Sequence, residues 1–145
     1  MEEIFYYNTE VNWKQGRTGV LSSEGLEDIT VATPPEFSGG VPNIWSPEHL
    51  YVASANICLM TTFLAIAENS KLNFVSFASN GKGKVEKVEG KFFVTQIELS
   101  PKIIVNNDRD KERALRIIEK SEKACLISRS MKSEIILKPE IIVQN

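Results

Sequence analysis

Short runs of alternating apolar and polar residues occupy the first quarter of the chain. Between Ile4 and Thr33 the segments Glu-Val-Asn-Trp-Lys, Val20-Leu21 and Asp28 to Thr33 are divided by the turn signals Gln-Gly-Arg-Thr-Gly and Ser-Ser-Glu-Gly, which predicts a three-stranded meander. The stretch Pro34-Pro35-Glu-Phe-Ser-Gly39-Gly40-Val-Pro42-Asn suits neither helix nor ladder and predicts a shaped loop. A helix should follow at once. Ser46 is a good N-cap, Pro47 fits the first helical position, and Glu48 lies in the first turn beside the positive end of the dipole. From there to about Asn69 few positions are strongly polar, and Leu50, Ser54, Ile57, Cys58, Thr61 and Leu64 follow the helical period. A helix apolar almost all round is expected to be buried on several sides.

Asn73 to Asn106 returns to a strand pattern, with a Glu89-Gly90 turn and a bend or bulge expected at Asn80-Gly-Lys-Gly. A second helix should start near Asn107 or Asp108, and Ala114, Ile118, Ser121 and Cys125 recur on one face of it, which places Cys125 on the buried side. The chain then ends in a strand from Ser133 to Val143, with Pro139 marking an edge or a break. The order βββ-α-ββ-α-β predicts an α+β fold in a single domain, 1–145.

Composition narrows the partners. The 145 residues carry 17 basic and 19 acidic side chains for a net charge of −2, without the positive surplus that phosphate-backbone binding needs, so no nucleic-acid partner is expected. The N-terminus has no basic region followed by an apolar one, and the longest apolar stretch is interrupted by Ser54, Asn56, Thr61 and Thr62. A cytoplasmic protein without a membrane partner is the resulting expectation. With one histidine and no Cys-x-x-Cys, neither a metal site nor a cofactor is expected.

The candidate chemistry lies in two cysteines, Cys58 and Cys125. A cytosolic thiol on a helix can be a small buried hydrophobe and nothing more. A thiolate nucleophile needs a neighbouring cation, and a peroxide-reducing thiolate also needs a second thiol to resolve its sulfenic acid. Arg17, in the turn between Gly16 and Gly19, is the candidate cation, and Glu48 is a planar acceptor able to hold its guanidinium. A solvated turn arginine is the simpler alternative. His49 is read as a packed or surface histidine, not a catalytic one.

Four separated motifs now form a pattern. Gly16-Arg17-Thr-Gly19, then Thr33-Pro34-Pro35-Glu36-Phe37-Ser-Gly39-Gly40, then Ser46-Pro47-Glu48-His49-Leu50-Tyr51 with Cys58 ten residues after the glutamate, and finally Glu119 to Ser128 around Cys125 span nearly the whole chain. Together they resemble the family of osmotically inducible protein C and organic hydroperoxide resistance protein (OsmC/Ohr). Trp45 and the Met-Thr-Thr-Phe after Cys58 look like its OsmC-like branch. Two positions depart from the best characterised hydroperoxide reductases: Leu59 stands where they tend to have an aromatic, and Leu126 where they tend to have a proline.

The resemblance implies an OsmC-like fold in which a long central helix is wrapped by antiparallel sheets in an intertwined homodimer. It further implies a thiol peroxidase reducing organic hydroperoxides at the expense of an external dithiol. Cys58 would be the peroxidatic thiol, Cys125 the resolving one, and Arg17 and Glu48 the remaining catalytic residues, with Phe37, Trp45, Tyr51 and Phe63 as weaker candidates for the substrate pocket. The alternative is an OsmC-like redox-sensing or ligand-binding protein with little turnover. Glu48 and Cys58 lie about 15 Å apart along one helix, which independently favours a site completed by a second chain.

Overall fold

The computed structural model describes residues 2–145. They form two compact units, one ending at Leu50 and one running from Tyr51 to Asn145.

The first unit contains the expected meander. β1 (Glu10–Gln15), β2 (Thr18–Ser22) and β3 (Ile29–Ala32) pair antiparallel in that order. The β1–β2 turn is short because Gly16 takes a left-handed φ of 52°, leaving Arg17 beside it. One face of this small sheet lines a hollow of about 610 Å³ with Val11, Trp13, Leu21 and Val31, and Arg17 is its only charged lining residue. Trp13 on that face is 76% exposed. The proline-rich loop closes through hydrogen bonds from Phe37 N–H to the Pro34 carbonyl and from Gly40 N–H to the Phe37 carbonyl. A side chain at Gly40 would run into the Pro34 carbonyl, which explains the glycine there.

Helix α1 (Pro47–Asn69) begins where its caps predict. The His49 N–H donates to Ser46 Oγ at 3.1 Å, and the Ser46 N–H donates back to His49 Nδ1 at 3.2 Å. This is a reciprocal capping box with histidine in the place usually taken by glutamate or glutamine. His49 is an exposed residue whose ring closes the helix start.

In the second unit, β4 (Ser76–Val88) and β5 (Lys91–Val105) form a long antiparallel hairpin. Glu89 and Gly90 both take positive φ, 52° and 80°, as a two-residue hairpin turn of type I′ requires. Alternate β5 residues Ile97, Leu99, Ile103 and Val105 are fully buried. They meet Ala55, Leu59, Phe63 and Ala67 of α1 and Ala114 and Ile118 of α2 (Asp108–Ala124) in one core. The bend expected at Asn80 does not form. β4 continues through it, and its glycines serve close packing instead, since a Cβ at Gly83 would collide with Val52 of α1. The register shift falls later, between Lys84 and Val85.

Two further differences matter. α1 is not buried all round: its core face is Ala55, Leu59, Phe63 and Ala67, while Ile57 is 56% and Leu64 39% exposed. On a helix with apolar residues on every side, periodicity cannot say which side the chain's own sheet will take. By length and composition this helix could also cross a membrane, a feature its interrupting polar residues did not suggest. One of these, Asn56, donates to the Ser79 carbonyl of β4 and accepts from its hydroxyl. α2 starts at its Asn107 cap as expected but stops at Ala124, and a separate turn, α3 (Leu126–Arg129), follows. As expected, the terminal strand breaks at Pro139, into β6 (Glu134–Leu137) and β7 (Glu140–Val143), each pairing parallel with β5.

Candidate functional site

Both cysteines belong to the second unit, and both are free. Cys58 is half-buried on α1. Cys125 is fully buried at the junction between α2 and α3, in an extended conformation (φ −66°, ψ 115°) that ends one helix and caps the next. That break is consequential. The first N–H groups of any helix lack intrahelical partners, so restarting the helix at Leu126 frees two backbone donors beside the cysteine.

Those donors reach Cys58. Partial burial pushes the Cys58 thiol up, but hydrogen bonds from the Cys125 thiol, the Ile127 N–H, the Thr62 hydroxyl and the Leu126 N–H outweigh it and hold the thiol below its ordinary value. Cys125 moves the other way: burial raises it, donation to Cys58 raises it further, and Ser128 offsets only part of this. The pair is thus polarised, with an accessible thiol biased towards thiolate and a buried one held protonated.

Thr62 is a site residue that sequence reasoning missed. Its Oγ1 lies 3.9 Å from Cys58 Sγ, one helical turn away. The threonine doublet three and four residues after Cys58 was the available signal, although it served only to interrupt the apolar stretch and to mark the branch of the family. The Leu126 and Ile127 N–H groups left no side-chain signal at all.

Arg17 and Glu48 both belong to the first unit. Among the described residues no ion pair joins them, and the expected clamp does not form within the chain. The Arg17 side chain instead runs over Gly39 of the proline-rich loop, where a Cβ would lie 3.1 Å from Nε. Glu48 Oε1 is buried without a hydrogen-bond donor. A shielded carboxylate oxygen with no partner is costly, and it leaves a docking position for a cation.

The four aromatic candidates separate. Phe63 has no exposed surface and packs between Phe74 and Phe77, with ring centroids 5.3 and 5.1 Å away, so it is core and cannot line a substrate pocket. Tyr51 lines a hollow of about 350 Å³ with Phe93 and Met131, and its hydroxyl meets Ser133 Oγ at 3.0 Å. Trp45 is half-exposed, sits edge-on to His49 and lines a hollow of about 440 Å³ with Pro35 and Ile44. Phe37 is half-buried in the loop.

Comparison with known proteins gives a consistent picture. The family profile described as OsmC-like protein matches residues 40–140. The chain is 24% identical over 142 residues to the uncharacterized protein YmaD of Bacillus subtilis, covering 96% of this chain and 95% of that one. Among solved structures, an OsmC-like protein of unknown function from Vibrio cholerae superposes with a TM-score of 0.85 at 21% identity, covering 94% of this chain and 99% of that one. An organic hydroperoxide resistance protein from Elizabethkingia anophelis superposes with a TM-score of 0.77 at 21% identity, covering 99% and 100%. At such identities the structural likeness establishes the fold.

Proposed function

The chain belongs to the OsmC-like protein family, and from that premise we propose that it is a dithiol-dependent peroxidase for organic hydroperoxides. One observation carries the reading: two free thiols of unlike exposure are neighbours in the second unit, Cys58 half-buried and biased low, Cys125 fully buried and biased high. The Cys58 thiolate attacks the distal peroxide oxygen, the O–O bond breaks, and the alkoxide leaves to take a proton from water. Cys58 becomes a sulfenic acid. The Cys125 thiol then condenses with it, releasing water and forming a disulfide, and an external dithiol reduces that disulfide by exchange. Each cycle turns one hydroperoxide and one dithiol into an alcohol, water and an oxidised dithiol.

Arg17 is assigned the cation that steadies the thiolate and the departing alkoxide, and Glu48 the carboxylate that orients it, once a homodimer has formed. The uncovered apolar face of α1 and, separately, the face of the first sheet that carries the exposed Trp13 support a second copy as the missing cover. Phe37, Trp45 and Tyr51 are assigned to the substrate pocket, and the reducing cytoplasm is the setting in which an external dithiol is available.

The test is turnover of cumene or tert-butyl hydroperoxide with a small dithiol, by protein shown to sediment as a dimer. Alcohol should form at a rate well above the uncatalysed one and faster than hydrogen peroxide is consumed. Oxidation of both thiols without repeated turnover would instead make the protein a redox sensor.

A further inference from the structure

Two adjacent threonines of α1 turn back towards Cys58, and they do different things. A helical threonine ordinarily directs its hydroxyl to a backbone carbonyl three or four residues earlier. Thr61 does so, donating to the Cys58 carbonyl at 3.2 Å. For Thr62 that same carbonyl is the residue four back, yet its hydroxyl lies 3.9 Å from the Cys58 sulfur. Thr62 is half-buried, so water competes only in part for the contact.

We propose that the Thr62 hydroxyl donates a hydrogen bond to the Cys58 thiolate and is a catalytic residue of the peroxide step. The assignment rests on Cys58 as the attacking thiol. Its physical basis is that a thiolate can only accept, whereas a hydroxyl can rotate its single proton onto the sulfur when charge appears there. The remaining donors named around Cys58 are two backbone N–H groups and the Cys125 thiol, so the thiolate is held by neutral dipoles drawn from the second unit. Thr62 is the only one of them that a side-chain substitution can remove without touching the resolving cysteine or the α2–α3 junction.

The experiment compares Thr62→Val, which keeps the branched shape and deletes the hydroxyl, with Thr62→Ser, which keeps the hydroxyl. Iodoacetamide modification of Cys58, followed by peptide mass spectrometry across pH in the fully reduced protein, reports the thiolate directly. Thr62→Val should move the profile to higher pH and slow modification near neutrality by about three- to tenfold, while Thr62→Ser should stay within about twofold of the parent. The rate of Cys58 oxidation by cumene hydroperoxide should fall in parallel.

A Thr62→Val profile that superimposes on the parent overturns the proposal, as does an equal shift in both variants, which would indicate packing and not the hydroxyl. If Thr62→Val does not fold, Thr62→Ala against Thr62→Ser makes the same comparison. The two arms keep the claims distinct. Absence of hydroperoxide turnover in the parent would remove the peroxidase reading and leave the alkylation result to decide Thr62. Turnover with an unmoved alkylation profile would remove Thr62 and leave the peroxidase.

Discussion

Cys58 stands inside a regular helix with part of its surface in water, whereas Cys125 stands at a break between two helices with none. A single hydrogen bond acts on them in opposite senses, because the Cys125 thiol that donates to Cys58 must stay protonated to do so. The other donors widen the gap. Restarting the helix after Cys125 turns two N–H groups towards Cys58, so the residue proposed to resolve the sulfenic acid also supplies the break that exposes donors to the thiolate. Division of labour between two identical side chains follows from burial and from the direction of neighbouring dipoles, before any charged residue is invoked.

Deleting each thiol in turn breaks the comparison most severely. Cys58→Ser is expected to abolish hydroperoxide turnover, since Cys125 is buried and biased against ionisation. Cys125→Ser should permit one attack and then accumulate sulfenic or sulfinic acid on Cys58. Intact mass after one equivalent of cumene hydroperoxide distinguishes the two. Oxidation gathering on Cys125 in the parent would reverse the roles.

Much of this arrangement was readable beforehand, and what was not has physical causes. The Ser46-Pro47 start, the Asn107 cap and the break at Pro139 were legible because each rests on local backbone chemistry written in one or two residues. The alternating burial along β5 was legible because only one of its faces is packed into the core. The buried face of α1 was not, since apolar residues on all sides leave the choice to tertiary contacts. Nor was the stop at Cys125. No glycine or proline marks it, and Leu126 to Arg129 continues the pattern of the helix before. Arg17 and Glu48 were picked out as residues, but their pairing was not realised within one chain, and an orphaned Glu48 oxygen is what remains.

Titration sharpens the comparison at smaller amplitude. A lowered thiol pKa means more thiolate at neutral pH and a raised one means less, so Cys58 should react with iodoacetamide more than about tenfold faster than Cys125 near pH 7. As pH rises past the ordinary thiol value of 9.0, Cys58 saturates while Cys125 continues to ionise, and the ratio should narrow. Residual burial of Cys125 will keep it above unity. Peptide-resolved alkylation at a series of pH values measures both, and equal rates at pH 7 would remove the polarity on which the assignment of roles depends.

The smallest effect isolates a single backbone proton. Leu126 occupies the first position of α3, where proline is well tolerated because that N–H has no intrahelical partner. Its predecessor already has the extended backbone that proline demands of the residue before it. The side chain is 68% exposed, so little packing is lost on replacement. Leu126→Pro therefore removes one donor to Cys58 and almost nothing else. Leu126→Ala shortens the same side chain and keeps the donor. Because this N–H is the weakest of the contacts holding the Cys58 thiol down, Leu126→Pro should slow Cys58 alkylation near neutrality by only about two- to threefold, with Leu126→Ala unchanged. Equal behaviour of the two variants would take the Leu126 N–H out of the thiolate pocket and leave Ile127 and Thr62 to account for it.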